Sequence, residues 1–208
     1  MEFGIEIIRE RLQIPLTIQP LQSYPRFGVE EARVLNPPPR ESAVIMLISP
    51  SANGLVTVLI KRTNRGDVHG GQLAFPGGKL EAGESHQEAA WRELEEEIGV
   101  RHHEIQVLGE LSPIYIPPSH FVVQPFVAWM EELPQWQLQT SEIEEVLIAP
   151  LIQFSAHFKE ERLISRKNGE NWRVMGYPVG KHFLWGATGM MVNEFMQRMS
   201  YLENSSNR

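Results

Sequence analysis

Two short apolar runs stand out along the chain, Ala43-Val44-Ile45-Met46-Leu47-Ile48 and Leu55-Val56-Thr57-Val58-Leu59-Ile60. Runs of this length, bounded by turn residues, read as strands. Ser49 to Gly54 lies between them, and Asn53-Gly54 tolerates positive φ, so the two runs predict a hairpin. Upstream, a short helix is predicted within residues 1–20, with Phe3, Ile5, Ile8, Leu12 and Ile14 apolar. A polar stretch then ends in Pro37-Pro38-Pro39, which can neither continue a helix nor serve a central strand. Residues 1–40 therefore read as an extension packed on a main domain that spans 41–203. A glycine-rich loop runs from Asn64 to Gly83, and a helix is predicted from Ser85 to Ile98. Strands are expected at 105–111, 121–130 and 143–148, and a hairpin over 160–179 turning at Asn168-Gly169. A last helix over 186–202 carries Met190, Phe195, Met199 and Leu202 on one side, a stripe that reads as core packing. Residues 204–208 read as a frayed tail. There is no internal repeat. Strands around a central helix, then strands and a terminal helix, predict an α+β or layered α/β/α domain with a mixed sheet.

Composition narrows the classes. A chain of 208 residues suits one domain with an extension. It has no cysteine, which excludes disulfide frameworks, thiolate metal sites and cysteine nucleophiles and fits a cytoplasmic protein. The formal charge of -7 argues against nucleic acid as a partner, because phosphate binding calls for Lys and Arg. No apolar stretch approaches the length of a membrane span, so no membrane partner is expected. The N-terminus shows no basic segment followed by an apolar run.

The chemistry is concentrated in Gly77-Gly78-Lys79-Leu80-Glu81-Ala82-Gly83-Glu84 and the following Ser85 to Val100. Ser85 and Glu88 have capping-box spacing, and Gly99 can close the helix in a left-handed conformation. At 100° per residue, Ala90, Trp91, Leu94 and Ile98 fall together and face the core. Glu93, Glu96 and Glu97 share a neighbouring face, while Glu95 points elsewhere. Like charges this close repel, and a divalent cation reverses that sign. An acidic run alone is more often a solvated helix face. Here two glycines stand upstream, where backbone can approach a metal or phosphate, and Arg92 can orient the carboxylates by forked hydrogen bonds.

This segment resembles the Nudix box: a glycine, five residues, Glu, seven residues, then Arg-Glu, an aliphatic residue, any residue, Glu-Glu, any residue, Gly and an aliphatic residue. Gly78, Glu84, Arg92, Glu93, Leu94, Glu96, Glu97, Gly99 and Val100 fill every fixed position. The resemblance implies the Nudix fold, an α/β/α sandwich with a mixed sheet and a loop–helix–loop box. It implies a diphosphatase working with Mg²⁺ or Mn²⁺. Gly78 (through its carbonyl), Glu93, Glu96 and Glu97 would be metal ligands, and Glu93, Arg92 and Glu96 the catalytic group, with Arg92 holding Glu93 in place. Glu84 would support the loop or a second metal. The general base varies in this family, and Glu110, Glu142, Glu144 and Glu145 are candidates. The implied partner is a small nucleoside diphosphate derivative, and homodimers are common in the family.

A second resemblance lies upstream. Leu59-Ile60-Lys61-Arg62-Thr63, then Val68-His69-Gly70-Gly71-Gln72-Leu73-Ala74-Phe75-Pro76-Gly77-Gly78, is similar to the lead-in of the coenzyme A pyrophosphatase branch. Arg62, Gly71, Phe75, Pro76, Gly77 and Gly78 match in register, and Trp185-Gly186-Ala187-Thr188 is also similar. Thr63 replaces serine and Ile60 replaces threonine, and Asp67 stands where the branch has an arginine, a reversed charge. The expected reaction is coenzyme A, or its thioesters, plus water giving 3′-phospho-AMP and (acyl-)4′-phosphopantetheine. ADP-ribose or another nucleoside diphosphate derivative is the alternative substrate. A non-catalytic sensor would be expected to lose box carboxylates, and the isomerase that shares the fold uses a cysteine.

Overall fold

The computed structural model of the chain describes residues 4–15, 28–64, 66, 70–155, 159–165, 169 and 171–200. Strand β1 (Arg40–Ser51) and strand β2 (Gly54–Arg62) form the expected hairpin. Their pairing runs to Ser51 opposite Gly54, so the turn is Ala52-Asn53, one residue earlier than the Asn53-Gly54 pair suggests. Ser51 Oγ closes it by donating to the Gly54 carbonyl at 2.5 Å.

β1 is the centre of the sheet. Strand β7 (Phe121–Trp129) runs parallel to it over its whole length, from Arg40 opposite Phe121 to Ile48 opposite Trp129. Every other pairing is antiparallel, which makes the sheet mixed. Strands β5 (Gln106–Glu110) and β6 (Ile114–Ile116) lie along β7, and β8 (Ile143–Pro150) lies along β2. Two short strands, β3 (Leu73–Ala74) and β4 (Gly77–Lys79), pair with β2 and β1.

Alternation along β1 sends side chains to two cores. Ala43, Ile45 and Leu47 join Ala90, Leu94 and Ile98 of helix α3 (His86–Ile98) on one face. Met46 and Ile48 join the other core, with Ile8 and Leu12 of helix α1 (Ile5–Gln13) and Met191, Val192, Phe195 and Met199 of helix α4 (Gly186–Ser200). Burial on both faces explains why β1 and β2 read as continuous apolar runs. The α/β/α layering and mixed sheet are those expected. No helix among the described residues is long and apolar enough to cross a membrane.

Several details differ from the sequence reading. A short helix, α2 (Val29–Arg33), precedes the prolines and packs Ala32 on Tyr115 and Val122. Among the described residues of the predicted range, the first helix is Ile5–Gln13. The glycine-rich loop contains β3 and β4, and β6 was not foreseen. The 160–179 hairpin is present as β9 (Glu160–Ser165) and β10 (Asn171–Val179), but a third strand, β11 (His182–Trp185), completes a separate sheet. On α4 the buried stripe is Met191, Val192, Phe195, Met196 and Met199, with Met190 only partly buried. Phe3, Asn168, Leu202 and the tail 204–208 lie outside the described residues.

Candidate active site

Helix α3 begins and ends as its sequence dictates. Ser85 Oγ accepts from the Glu88 N–H at 3.3 Å, and Glu88 reaches back to the Ser85 N–H at 2.8 Å. Gly99 closes the helix at φ 77°, and its N–H donates to the Glu95 carbonyl. The helix lies against β1 and β4, so its carboxylates meet the Gly77-Gly78 edge.

Two arginines hold those carboxylates. Arg92 donates from Nε and Nη2 to the two oxygens of Glu84, at 2.7 and 3.1 Å. Its Nη1 reaches Glu93 at 2.9 Å and Glu96 at 3.2 Å, and Nη2 also reaches the Lys79 carbonyl at 3.0 Å. These hydrogen bonds hold the guanidinium firmly charged and draw the Glu84 carboxyl below its usual range. Glu84 thus ties the end of the loop to Arg92. Arg92 binds Glu93 as expected.

Glu97 is different. Its side chain is fully buried. Oε2 accepts from the Gly77 N–H at 2.9 Å, and Oε1 accepts from Arg62 Nη1 at 3.1 Å. Burial pushes its pKa up to about 7, against the pull of Arg62 and the Gly77 N–H. The charges of Glu93 and Glu142 add to the upward push. The pairing with Arg62 was not foreseen. Its signal lay in the upstream motif, but nothing in the sequence points from residue 62 to residue 97.

Both glycines are fixed by close approach. A Cβ on Gly77, whose φ is 149°, would fall 2.2 Å from the Ala43 carbonyl oxygen. A Cβ on Gly78 would fall 2.4 Å from the Glu93 carboxyl carbon, so the glycine leaves a cradle for that side chain.

The four candidate bases separate. Glu142 Oε2 lies 3.9 Å from Arg62 Nη2, beside Glu97. Glu144 is held by Lys61 Nζ at 2.5 Å, and Glu145 by His182 Nε2 at 3.2 Å, with Lys181 Nζ 3.7 Å away. Glu110 is exposed on β5, opposite Phe126. Phe75 is buried in the core beneath β2, and the Pro76 carbonyl accepts from Ile45, a packed corner. Asp67, Val68 and His69 lie outside the described residues.

In this arrangement Glu93 and Glu96 turn onto Arg92, and Glu97 onto Arg62 and Gly77. No group of three acidic or imidazole side chains among the described residues already converges at ion-binding distance. The donor chemistry fits a hard divalent ion nonetheless. The Glu93 carboxylate lies close enough to make Glu97 harder to ionise, Glu97 is buried, and the bare backbone of Gly78 makes room for the Glu93 side chain beside it.

The family model for the NUDIX domain matches residues 38–168, and the chain belongs to that family. It is 29% identical over 175 residues to the Nudix hydrolase NudL of Photorhabdus laumondii, covering 79% of this chain and 91% of that protein. A probable nudix hydrolase of Schizosaccharomyces pombe is 26% identical over 163 residues, covering 77% of this chain and 56% of its relative. Among solved structures, the Nudix hydrolase RenU of M. smegmatis aligns with a TM-score of 0.50 at 16% identity, over 81% of this chain and 86% of that one. The last likeness bears on the fold alone. The chain is a Nudix hydrolase, and its reaction class is hydrolysis of a diphosphate bond in a nucleoside diphosphate derivative.

Proposed function

We propose that this hydrolase works with Mg²⁺ or Mn²⁺ and that its substrate is coenzyme A or a coenzyme A thioester. The observation that carries the metal-dependent reading is the box helix. Its Glu93 and Glu97 meet the Gly77-Gly78 edge, and two arginines hold Glu93, Glu96 and Glu97. Glu93 and Glu97 would hold the ion, with Glu96 and the Gly78 carbonyl completing the protein's share. When bound, such an ion neutralises charge on the diphosphate and lowers the pKa of water. The chain's own residues do the rest. Arg92, which binds Glu93 and Glu96, would hold these two carboxylates in place. Glu142 is the candidate base closest to Glu97, and it would accept the proton of the attacking water. The water oxygen forms a bond to phosphorus, and the bond from that phosphorus to the bridging oxygen breaks.

Coenzyme A is favoured by the match of Arg62, Gly71, Phe75 and Pro76 to the pyrophosphatase lead-in. ADP-ribose is the second reading, and Asp67 favours it by reversing a charge that would meet a substrate phosphate. Purified protein is incubated with each substrate, with Mn²⁺ or with chelator, beside Glu97→Gln, and products are weighed by mass. The expected result is metal-dependent 3′-phospho-AMP and 4′-phosphopantetheine, lost in the variant. AMP from ADP-ribose alone would keep the hydrolase and discard coenzyme A.

A further inference from the structure

Arg62 ends β2 at the point where the chain leaves the sheet for the loop before the box. Its backbone is pinned there. The N–H donates to the Gln72 carbonyl at 3.1 Å, and the carbonyl accepts from the Gly71 N–H at 3.0 Å. The next residue, Thr63, continues the pairing with the segment that leads into β8, by its N–H to the Glu142 carbonyl at 2.8 Å and its Oγ1 to the Ser141 carbonyl at 3.1 Å. A side chain launched from so fixed a backbone has a defined reach. It carries Nη1 to 3.1 Å from Glu97 Oε1 and Nη2 to 3.9 Å from Glu142 Oε2.

Glu97 thus has its carboxyl plane set from two directions, by a backbone N–H on one oxygen and a guanidinium on the other. The guanidinium spans two carboxylates because its fork presents separate nitrogens to each; an ammonium at the same place is a single point. An arginine in this position could instead be spent on a substrate phosphate. The geometry argues otherwise, since the side chain already lies between Glu97 and Glu142.

We propose that Arg62 is a positioning residue, which fixes the orientation of Glu97 toward a divalent ion and links it to Glu142, and is not a reader of the substrate. This role presupposes the metal-dependent reading of the site. Groups that orient metal ligands from behind typically change ion affinity by about 10–100-fold when removed.

The test uses Mn²⁺ alone, followed by electron paramagnetic resonance of the free ion, with full-length wild type, Arg62→Gln, Arg62→Lys, Glu97→Gln and the double variant. Arg62→Gln is expected to weaken Mn²⁺ binding roughly tenfold. Arg62→Lys keeps the charge without the fork and should fall between it and wild type. Adding Arg62→Gln to Glu97→Gln should change affinity by less than about twofold, because the two act through one contact. In turnover, kcat should drop by a similar factor on coenzyme A and ADP-ribose, with KM held within about threefold. Unchanged or tighter Mn²⁺ binding in Arg62→Gln would overturn the proposal. So would independent losses in the double variant, or a KM increase confined to coenzyme A, which carries the extra 3′-phosphate. If neither substrate is cleaved, the substrate reading fails while the Mn²⁺ series still decides the role of Arg62. A wild type that binds no Mn²⁺ overturns both.

Discussion

Glu97 is the residue whose environment and charge are most at odds. Its folded pKa is raised from the ordinary 4.5 to about 7, first because it is buried. A carboxyl with a raised folded pKa binds its proton more tightly when folded than when unfolded. Stability in the metal-free protein is therefore highest below about pH 4.5 as far as this group is concerned, and it falls as pH rises through about 7. The full loss is about 3 kcal/mol at most, which corresponds to roughly 6–12 °C in Tm for a chain of this length. In chelator, wild type should lose Tm relative to Glu97→Gln between pH 5 and pH 8. Parallel curves would show that the buried carboxyl is compensated more fully than its surroundings suggest. Much of this residue's neighbourhood was legible in the sequence. Spacing along one helix is enough to put Glu93, Glu96 and Glu97 together and to set Arg92 among them. That Glu97 is buried, and that Arg62 faces it, was not legible. Both depend on how β2 and β4 pack against the helix, and pairing across the sheet leaves no periodic trace.

At the scale of elements, the seam between β4 and α3 sets two adjacent glycines apart. Gly77 faces backbone, at a φ of 149°, and a methyl there meets the Ala43 carbonyl at 2.2 Å. A methyl on Gly78 would meet the Glu93 carboxyl at 2.4 Å, the movable end of a side chain. Gly77→Ala must shift the β1–β4 pairing and should destabilise the fold by about 3 kcal/mol or more, from positive-φ strain and overpacking together. Gly78→Ala can be accommodated by turning Glu93 aside, so it should cost less than about 2 kcal/mol in denaturant unfolding. Turnover should nevertheless fall steeply in Gly78→Ala. Equal destabilisation by the two changes would mean that Glu93 cannot move. The long elements around this seam were readable because caps and alternation span many residues: Ser85, Glu88 and Gly99 bound α3, and Ala43 to Ile48 mark β1. β3, β4, β6 and β11 have two to four residues each, too few for a period to register. They form because neighbouring strands offer unpaired backbone groups.

At the scale of the whole molecule, α1 and α4 meet on the face of the sheet opposite the carboxylates. Glu194 and Arg198 are neighbours on α4, and both side chains are nearly buried. Arg198 donates from Nε and Nη2 to Glu194 Oε1, at 3.0 and 2.9 Å. Its Nη1 reaches the Leu12 and Ile14 carbonyls, at 3.0 and 2.9 Å, at the C-terminal end of α1. Glu194 in turn accepts from the N–H and Oγ of Ser112, in the connection after β5. One ion pair thus fastens α1, α4 and the outer strands together. In the sequence, α1 read as part of an extension packed on the main domain, but its contact with α4 was not legible, because 186 residues separate Arg198 from Leu12. Arg198→Met should leave Glu194 buried without its arginine and free the Leu12 and Ile14 carbonyls. Breaking a buried pair from one side costs about 3–5 kcal/mol, whereas replacing both charges costs much less. Arg198→Met should thus be markedly less stable than wild type, and adding Glu194→Met should recover part of the loss. Hydrogen exchange should rise first over residues 5–13, where the anchor is lost, and least in α3, which packs on the opposite face. Uniform exchange across both faces would mean that α1 and the box helix unfold as one unit. The clamp would then support the carboxylate site from behind the sheet, and would not fasten the N-terminal helix alone.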